Sequence, residues 1–69
     1  MPSSLIRESS YDEISRILSI WFVTSERRYD YLDVPPDIYA AFRRAFSKGQ
    51  YFNQHIRDQY EYRVASIRQ

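Results

Sequence analysis

At Pro35-Pro36 the apolar pattern of this chain changes period, and that change divides what the chain can fold into. Before the pair, side chains alternate. Tyr29 and Tyr31 share one face of an extended segment with Asp30 on the other, and Leu18, Ile20 and Phe22 share a face within residues 17–23. After the pair, Ile38, Ala41, Phe42 and Ala45 recur at helical spacing. Pro36 suits a first helical position, where a missing N–H costs nothing and φ is already helical. Asp37 in the first turn complements the helix dipole, while Arg43 and Arg44 fall off the apolar stripe near the C-terminal end, where cations are favoured. A period of two followed by a period of 3.6 describes an α+β chain.

The remaining segments fit around this switch. Residues 5–11 form a short first strand, with Ile6 apolar but Ser9 and Ser10 where a buried strand prefers bulk. Residues 12–16 make a polar turn with neither glycine nor proline. Residues 17–23 are β-branched, aromatic or leucine around a single Ser19, a strand composition. Leu18, Ile20 and Phe22 are placed on the core. The opposite face, with Ile17, Trp21 and Val23, is unusually apolar, so it is either covered by the C-terminal segment or open to a partner. A turn at 24–27 leads to a third strand at 28–34. Ser47 followed by Gln50 is a capping-box pattern that starts a second helix over residues 48–57, with Phe52, His55 and Ile56 on one face. Gly49, the only glycine, falls in its first turn. It serves either close approach of the two helices or access of a ligand to the free N–H groups there. Tyr60, Tyr62, Val64 and Ile67 describe an extended tail able to add a strand. The expected fold is a three-stranded antiparallel meander followed by two short helices packed on one face, with an extra C-terminal strand as an option.

Size limits the rest. Sixty-nine residues make one small domain, 1–69, frayed at 1–3 and 66–69. Chains of this length bury only about 60% of their unfolded surface. Seven Tyr, four Phe and one Trp supply the bulk that a thin core needs. With no cysteine there is no disulfide framework and no thiolate metal site. One histidine and scattered carboxylates give no metal-ligand spacing, and a single glycine gives no phosphate loop of the usual kind, so neither metal nor cofactor is expected. No apolar run reaches the roughly 18 residues of a membrane span. The first residues, MPSSLIRESS, lack a signal-peptide apolar region, which leads to an expected cytoplasmic location.

Charge is uneven although the net charge is only +1. Up to Phe42 seven acids face four arginines, leaving −3; from Arg43 onward five arginines and Lys48 face Asp58 and Glu61, leaving +4. That asymmetry points the second half toward an anionic partner, or else marks a solvated helix face. Arg43, Arg44, Lys48, Arg57 and Arg63, interleaved with Tyr51, His55, Tyr60 and Tyr62, give the basic-plus-aromatic mix of single-strand binders. Tyr29 and Tyr31 are either a stacking platform for unpaired bases or ordinary cross-strand packing partners. His55 with Asp58 nearby could form an oriented acid–base pair, but no activated nucleophile accompanies it, so catalysis is not expected.

Several features in order carry a family resemblance. They are Ser3-Ser4-x-Ile6, Tyr11-Asp12, Leu18-x-Ile20-x-Phe22, and Tyr29-x-Tyr31 followed by Asp33-Val34-Pro35. Further on come Tyr39, Ala45, Ser47-x-Gly49-x-x-Phe52-Asn53-x-x-Ile56-Arg57, and Tyr60. In these the chain resembles the KTSC domain, a module found at the C-terminus of some lysyl-tRNA synthetases and as stand-alone small proteins of bacteria and phages. The departures are Ser9 at an apolar position of that pattern, Ser10 in place of a glycine, and a turn before Tyr29 that lacks its glycine and is one residue longer. The synthetase context implies RNA binding.

The functional expectation is a non-enzymatic module that binds nucleic acid, RNA or single strands, by arginine contact to phosphate and tyrosine stacking on bases. The residues expected to carry it are Tyr29, Tyr31, Arg43, Arg44, Lys48, Gly49, Tyr51, His55, Arg57 and Tyr60. One alternative is a small signalling nucleotide held around the Gly49 helix start. The other is a protein-interaction or homo-oligomer module using the Trp21 face.

Overall fold

The computed structural model describes residues 6–24 and 27–65. The fraying expected at 1–3 and 66–69, Leu5 of the first strand, and the middle of the 24–27 turn lie outside the described residues. The element order is β1 (Ile6–Asp12), β2 (Ile17–Phe22), β3 (Arg28–Tyr31), α1 (Pro36–Arg44), α2 (Lys48–His55) and β4 (Tyr62–Ala65). The four strands form one sheet in the order β1-β2-β3-β4, every neighbouring pair antiparallel. The meander and the two helices are as expected, and the extended tail does complete the sheet, at the edge of β3.

Register puts Leu18 beside Tyr31, Ile20 beside Tyr29, and Tyr31 in turn beside Tyr62. The residues of this face and the apolar stripes of both helices close one core of Leu18, Ile20, Tyr31, Val34, Phe42, Phe52 and Ile56. Ser9 stands opposite Ile20 on the core face and is half-buried. Its small side chain leaves that end of β1 thin, and the register of β1 slips between Ile6 and Glu8. The other face carries Trp21 between Glu8 and Arg28, and Asp30 between Ser19 and Arg63. Because β4 joins an edge, it does not cover that face, and Trp21 remains half-buried.

The first two strands end within one residue of the sequence expectation, and two boundaries differ by more. The third strand ends at Tyr31, not at residue 34. Asp33 turns into the left-handed region at φ 58, which ends the extended ribbon. Leu32 then donates its N–H to the Glu61 carbonyl at 2.8 Å and Val34 to the Arg16 carbonyl at 2.9 Å. The second helix ends at His55, not at residue 57. Ile56 leaves helical geometry and Arg57 N–H closes back on the Phe52 carbonyl at 2.8 Å.

Local chemistry explains the turns. Asp12 closes the β1–β2 connection by accepting from Ile14 N–H at 3.0 Å, while Arg16 takes φ 60 and donates to the Asp12 carbonyl at 2.7 Å. Pro36 begins α1. Ser47 Oγ accepts from Gln50 N–H at 3.3 Å; the Gln50 amide does not return the bond, so half of the capping box forms. Gly49 is buried and has no positive φ. What its position requires is the absence of a side chain where α2 meets the core, not conformational freedom.

Candidate functional site

The sheet and the exit of α2 diverge at the β3–β4 side and leave a cleft of about 540 Å³. It is lined by Phe22 at the end of β2 and Thr24 in the turn after it, Tyr29 and Tyr31 from β3, Tyr62 from β4, Phe52 and Asn53 from α2, and Arg57 and Asp58 just beyond it. The rings form a continuous wall. Tyr31 stacks on Tyr62 at 5.2 Å between centroids and 30° between planes, and Tyr29 meets Tyr62 at 5.8 Å. Behind them Phe22 stands edge-on to Tyr29 at 5.2 Å and Phe52 edge-on to Tyr31 at 5.1 Å. Packing of this kind holds the tyrosine faces in place before any ligand arrives.

Polar groups sit on the same rim. Arg57 donates from Nη1 to Asn53 Oδ1 at 3.3 Å, which aims the guanidinium along the cleft. Asp58 next to it limits the positive potential. The Tyr31 ring is only 3% exposed. Its hydroxyl makes no hydrogen bond within the protein, yet no side-chain polar atom among the described residues is buried without a partner. That hydroxyl therefore opens on the cleft as a free donor. Burial pushes its pKa up to about 12, with the neighbouring Tyr62 adding to the effect, so it is protonated at neutral pH. Tyr62 itself is 52% exposed and presents the most open ring face.

The sequence-predicted residues divide into two groups. Tyr29, Tyr31 and Arg57 are brought together at the cleft. Tyr51 and His55 lie on the opposite flank of α2: each is two residues from Asn53, about 200° round a helix of 3.6 residues per turn. There their rings meet at 4.5 Å, tilted by 33°, with Tyr51 also 6.4 Å from Phe42 of α1. Arg43, Arg44 and Lys48 are exposed at the α1–α2 junction, Arg43 resting over the Tyr39 ring at 6.0 Å. Tyr60 is half-buried against the core, and Gly49 is buried in the first turn of α2, outside the cleft lining.

Several cleft residues escape a reading of the sequence. Phe22 and Phe52 read as core, Asn53 as part of the family motif, and Asp58 as a partner for His55. Tyr62 reads as one aromatic in a basic tail. The signal that places it is the antiparallel β3–β4 register, which sets it beside Tyr31. Among the described residues no group of three or more His, Asp or Glu side chains could hold a metal ion, and no helix is long and apolar enough to cross a membrane.

Known proteins agree with this architecture. The chain is 35% identical over 63 residues to a lysine–tRNA ligase from Nostoc punctiforme, an alignment that takes in 91% of this chain and 11% of that protein's length. A crystal structure of a KTSC domain protein from Yersinia pestis matches with a TM-score of 0.85 at 32% identity, covering 96% of this chain and 94% of that one. The family model for the KTSC domain matches residues 2–60, and with sheet, helices and sequence in accord the chain belongs to the KTSC domain family.

Proposed function

We propose that this domain is a binding module for single-stranded nucleic acid, RNA first, with an unpaired base against Tyr62 and Tyr29 and Arg57 on the adjoining phosphate. The observation that carries the reading is the cleft itself, where pre-packed aromatic faces and a positioned guanidinium share one opening. Base–aromatic stacking is worth roughly 1–3 kcal/mol per base and tolerates any sequence. The Tyr31 hydroxyl adds a donor for a base edge. Binding is favoured over catalysis because His55 packs against Tyr51 across α2 from the cleft. A relative named lysine–tRNA ligase supports RNA as the polymer.

A small nucleotide is the second reading, favoured by dimension: about 540 Å³ falls within the roughly 300–1,000 Å³ of small-molecule sites. Fluorescence anisotropy with a labelled RNA oligonucleotide at about 50 mM salt tests both, since phosphate contacts are strongest at low salt. Tyr62→Ala is expected to weaken binding roughly 5- to 150-fold, the equivalent of one lost stack. Arg57→Gln is expected to flatten the salt dependence by about one phosphate contact. Absence of RNA binding at low salt would overturn the first reading, and a shift in melting temperature with one mononucleotide alone would favour the second.

A further inference from the structure

The helical layer holds a second feature that the cleft does not use. Between Asp37 and Asp58 the chain has no acidic residue, while Arg43, Arg44, Lys48 and Arg57 fall within that interval. At its middle, in the short connection from α1 to α2, Phe46 is 88% exposed. Arg43 and Arg44 close α1 just before it and Lys48 opens α2 just after it, all three exposed and none in an ion pair. A phenylalanine left in water forfeits burial that a domain this small needs. Isolated exposed apolar residues are common, and Ile14, 95% exposed in the β1–β2 turn, is one. The two differ in their surroundings. Along the chain Ile14 follows Asp12 and Glu13, whereas Phe46 is flanked by Arg43, Arg44 and Lys48, none of them in an ion pair among the described residues.

We infer that the α1–α2 junction is a second nucleic-acid contact, Phe46 stacking on a base while Arg43, Arg44 and Lys48 hold the flanking phosphates. This rests on the reading of the cleft and extends it. Phe46 lies two residues before α2 and Arg57 two residues after it, so the whole eight-residue helix, roughly 12 Å of axis, stands between the two contacts. At about 3.4 Å per stacked nucleotide that is on the order of four nucleotides. The occupant is therefore a strand and not a mononucleotide. An anionic membrane also attracts cations beside an aromatic ring, but it needs an apolar helix face, and α1 turns its own, with Phe42, into the core.

The test measures binding of oligouridylates of two, four and eight nucleotides, of UMP, and of phosphatidylserine vesicles to the full chain and its variants. Wild-type affinity is expected to rise about tenfold or more between the dinucleotide and the octanucleotide as the second contact engages. Phe46→Ala and, separately, Arg44→Gln remove most of that rise and leave the dinucleotide unchanged; both sites are exposed, so the fold is retained. Tyr62→Ala weakens every length. Variants of Phe46 and Arg44 that bind the octanucleotide like wild type would overturn the inference while the Tyr62 effect upheld the cleft. If wild type binds no oligouridylate, both readings fall. Vesicle binding that depends on Phe46, without octanucleotide binding, would overturn the inference in favour of a membrane.

Discussion

Tyr31 is a core ring with a wet hydroxyl. Its ring packs against Phe52 and Tyr62, while the hydroxyl opens on the cleft. Burial holds its pKa at about 12, above the ordinary tyrosine value near 10. Tyr11, whose hydroxyl donates to the Val34 carbonyl at 2.6 Å, is raised too, also through burial. Between the two pKa values the unfolded chain has lost the Tyr31 proton and the folded chain has kept it. Stability is then fully present below pH 10 and falls as pH rises from about 10 to about 12. That difference sets a ceiling of roughly 3 kcal/mol, and the loss should be smaller because the hydroxyl meets water. Denaturant melts across this range should show the decline in wild type and a shallower one in Tyr31→Phe. An equal decline in both would remove Tyr31 as a source.

Among the elements, the β1–β2 hairpin carries a correctable strain. Arg16 sits at φ 60, a region that costs a side-chain-bearing residue about 1–2 kcal/mol. Both of its hydrogen bonds here, to the Asp12 carbonyl and from Val34 N–H, use the backbone and survive loss of the side chain. Arg16→Gly should therefore raise stability by about 0.5–1 kcal/mol after the added flexibility of the unfolded chain is counted. An unchanged or lower urea midpoint would contradict this. The same hairpin marks a limit of sequence reading: nothing in residues 12–16 announces a left-handed arginine. By contrast α1 was legible, because Pro35-Pro36 and the spacing of Ile38, Ala41, Phe42 and Ala45 are local signals. Strand three was overextended because its stop at Asp33 is set by bonds from Leu32 to Glu61 and Val34 to Arg16, distant in sequence. Of the nine residues that line the cleft, Tyr29, Tyr31 and Arg57 were singled out from the sequence. Tyr62 depends on which edge β4 joins, and that is settled by the assembled sheet.

At the scale of the molecule, charge is uneven between the layers: in the strands Arg7, Arg28 and Arg63 offset Glu8, Asp12 and Asp30, while the helices set Arg43, Arg44 and Lys48 against Asp37. On the uncovered face of the sheet Asp30 is held by Arg28 Nε at 2.9 Å and Ser19 Oγ at 2.8 Å. After Asp37 in the first turn of α1, residues 38–57 carry cations alone, with Asp58 just past them at the cleft. An anionic strand is thus drawn to the side of the helices, where the aromatic cleft and the Phe46 junction lie at the two ends of α2. The measurement that tests this account most directly is an amide-resolved NMR titration of the whole chain with single-stranded RNA at about 50 mM salt. The account predicts shifts at Tyr29, Tyr31, Asn53, Arg57 and Tyr62, joined by Arg44, Phe46 and Lys48 once the strand exceeds about four nucleotides. A spectrum unmoved by RNA, or shifts gathered around Trp21 on the opposite face, would contradict it.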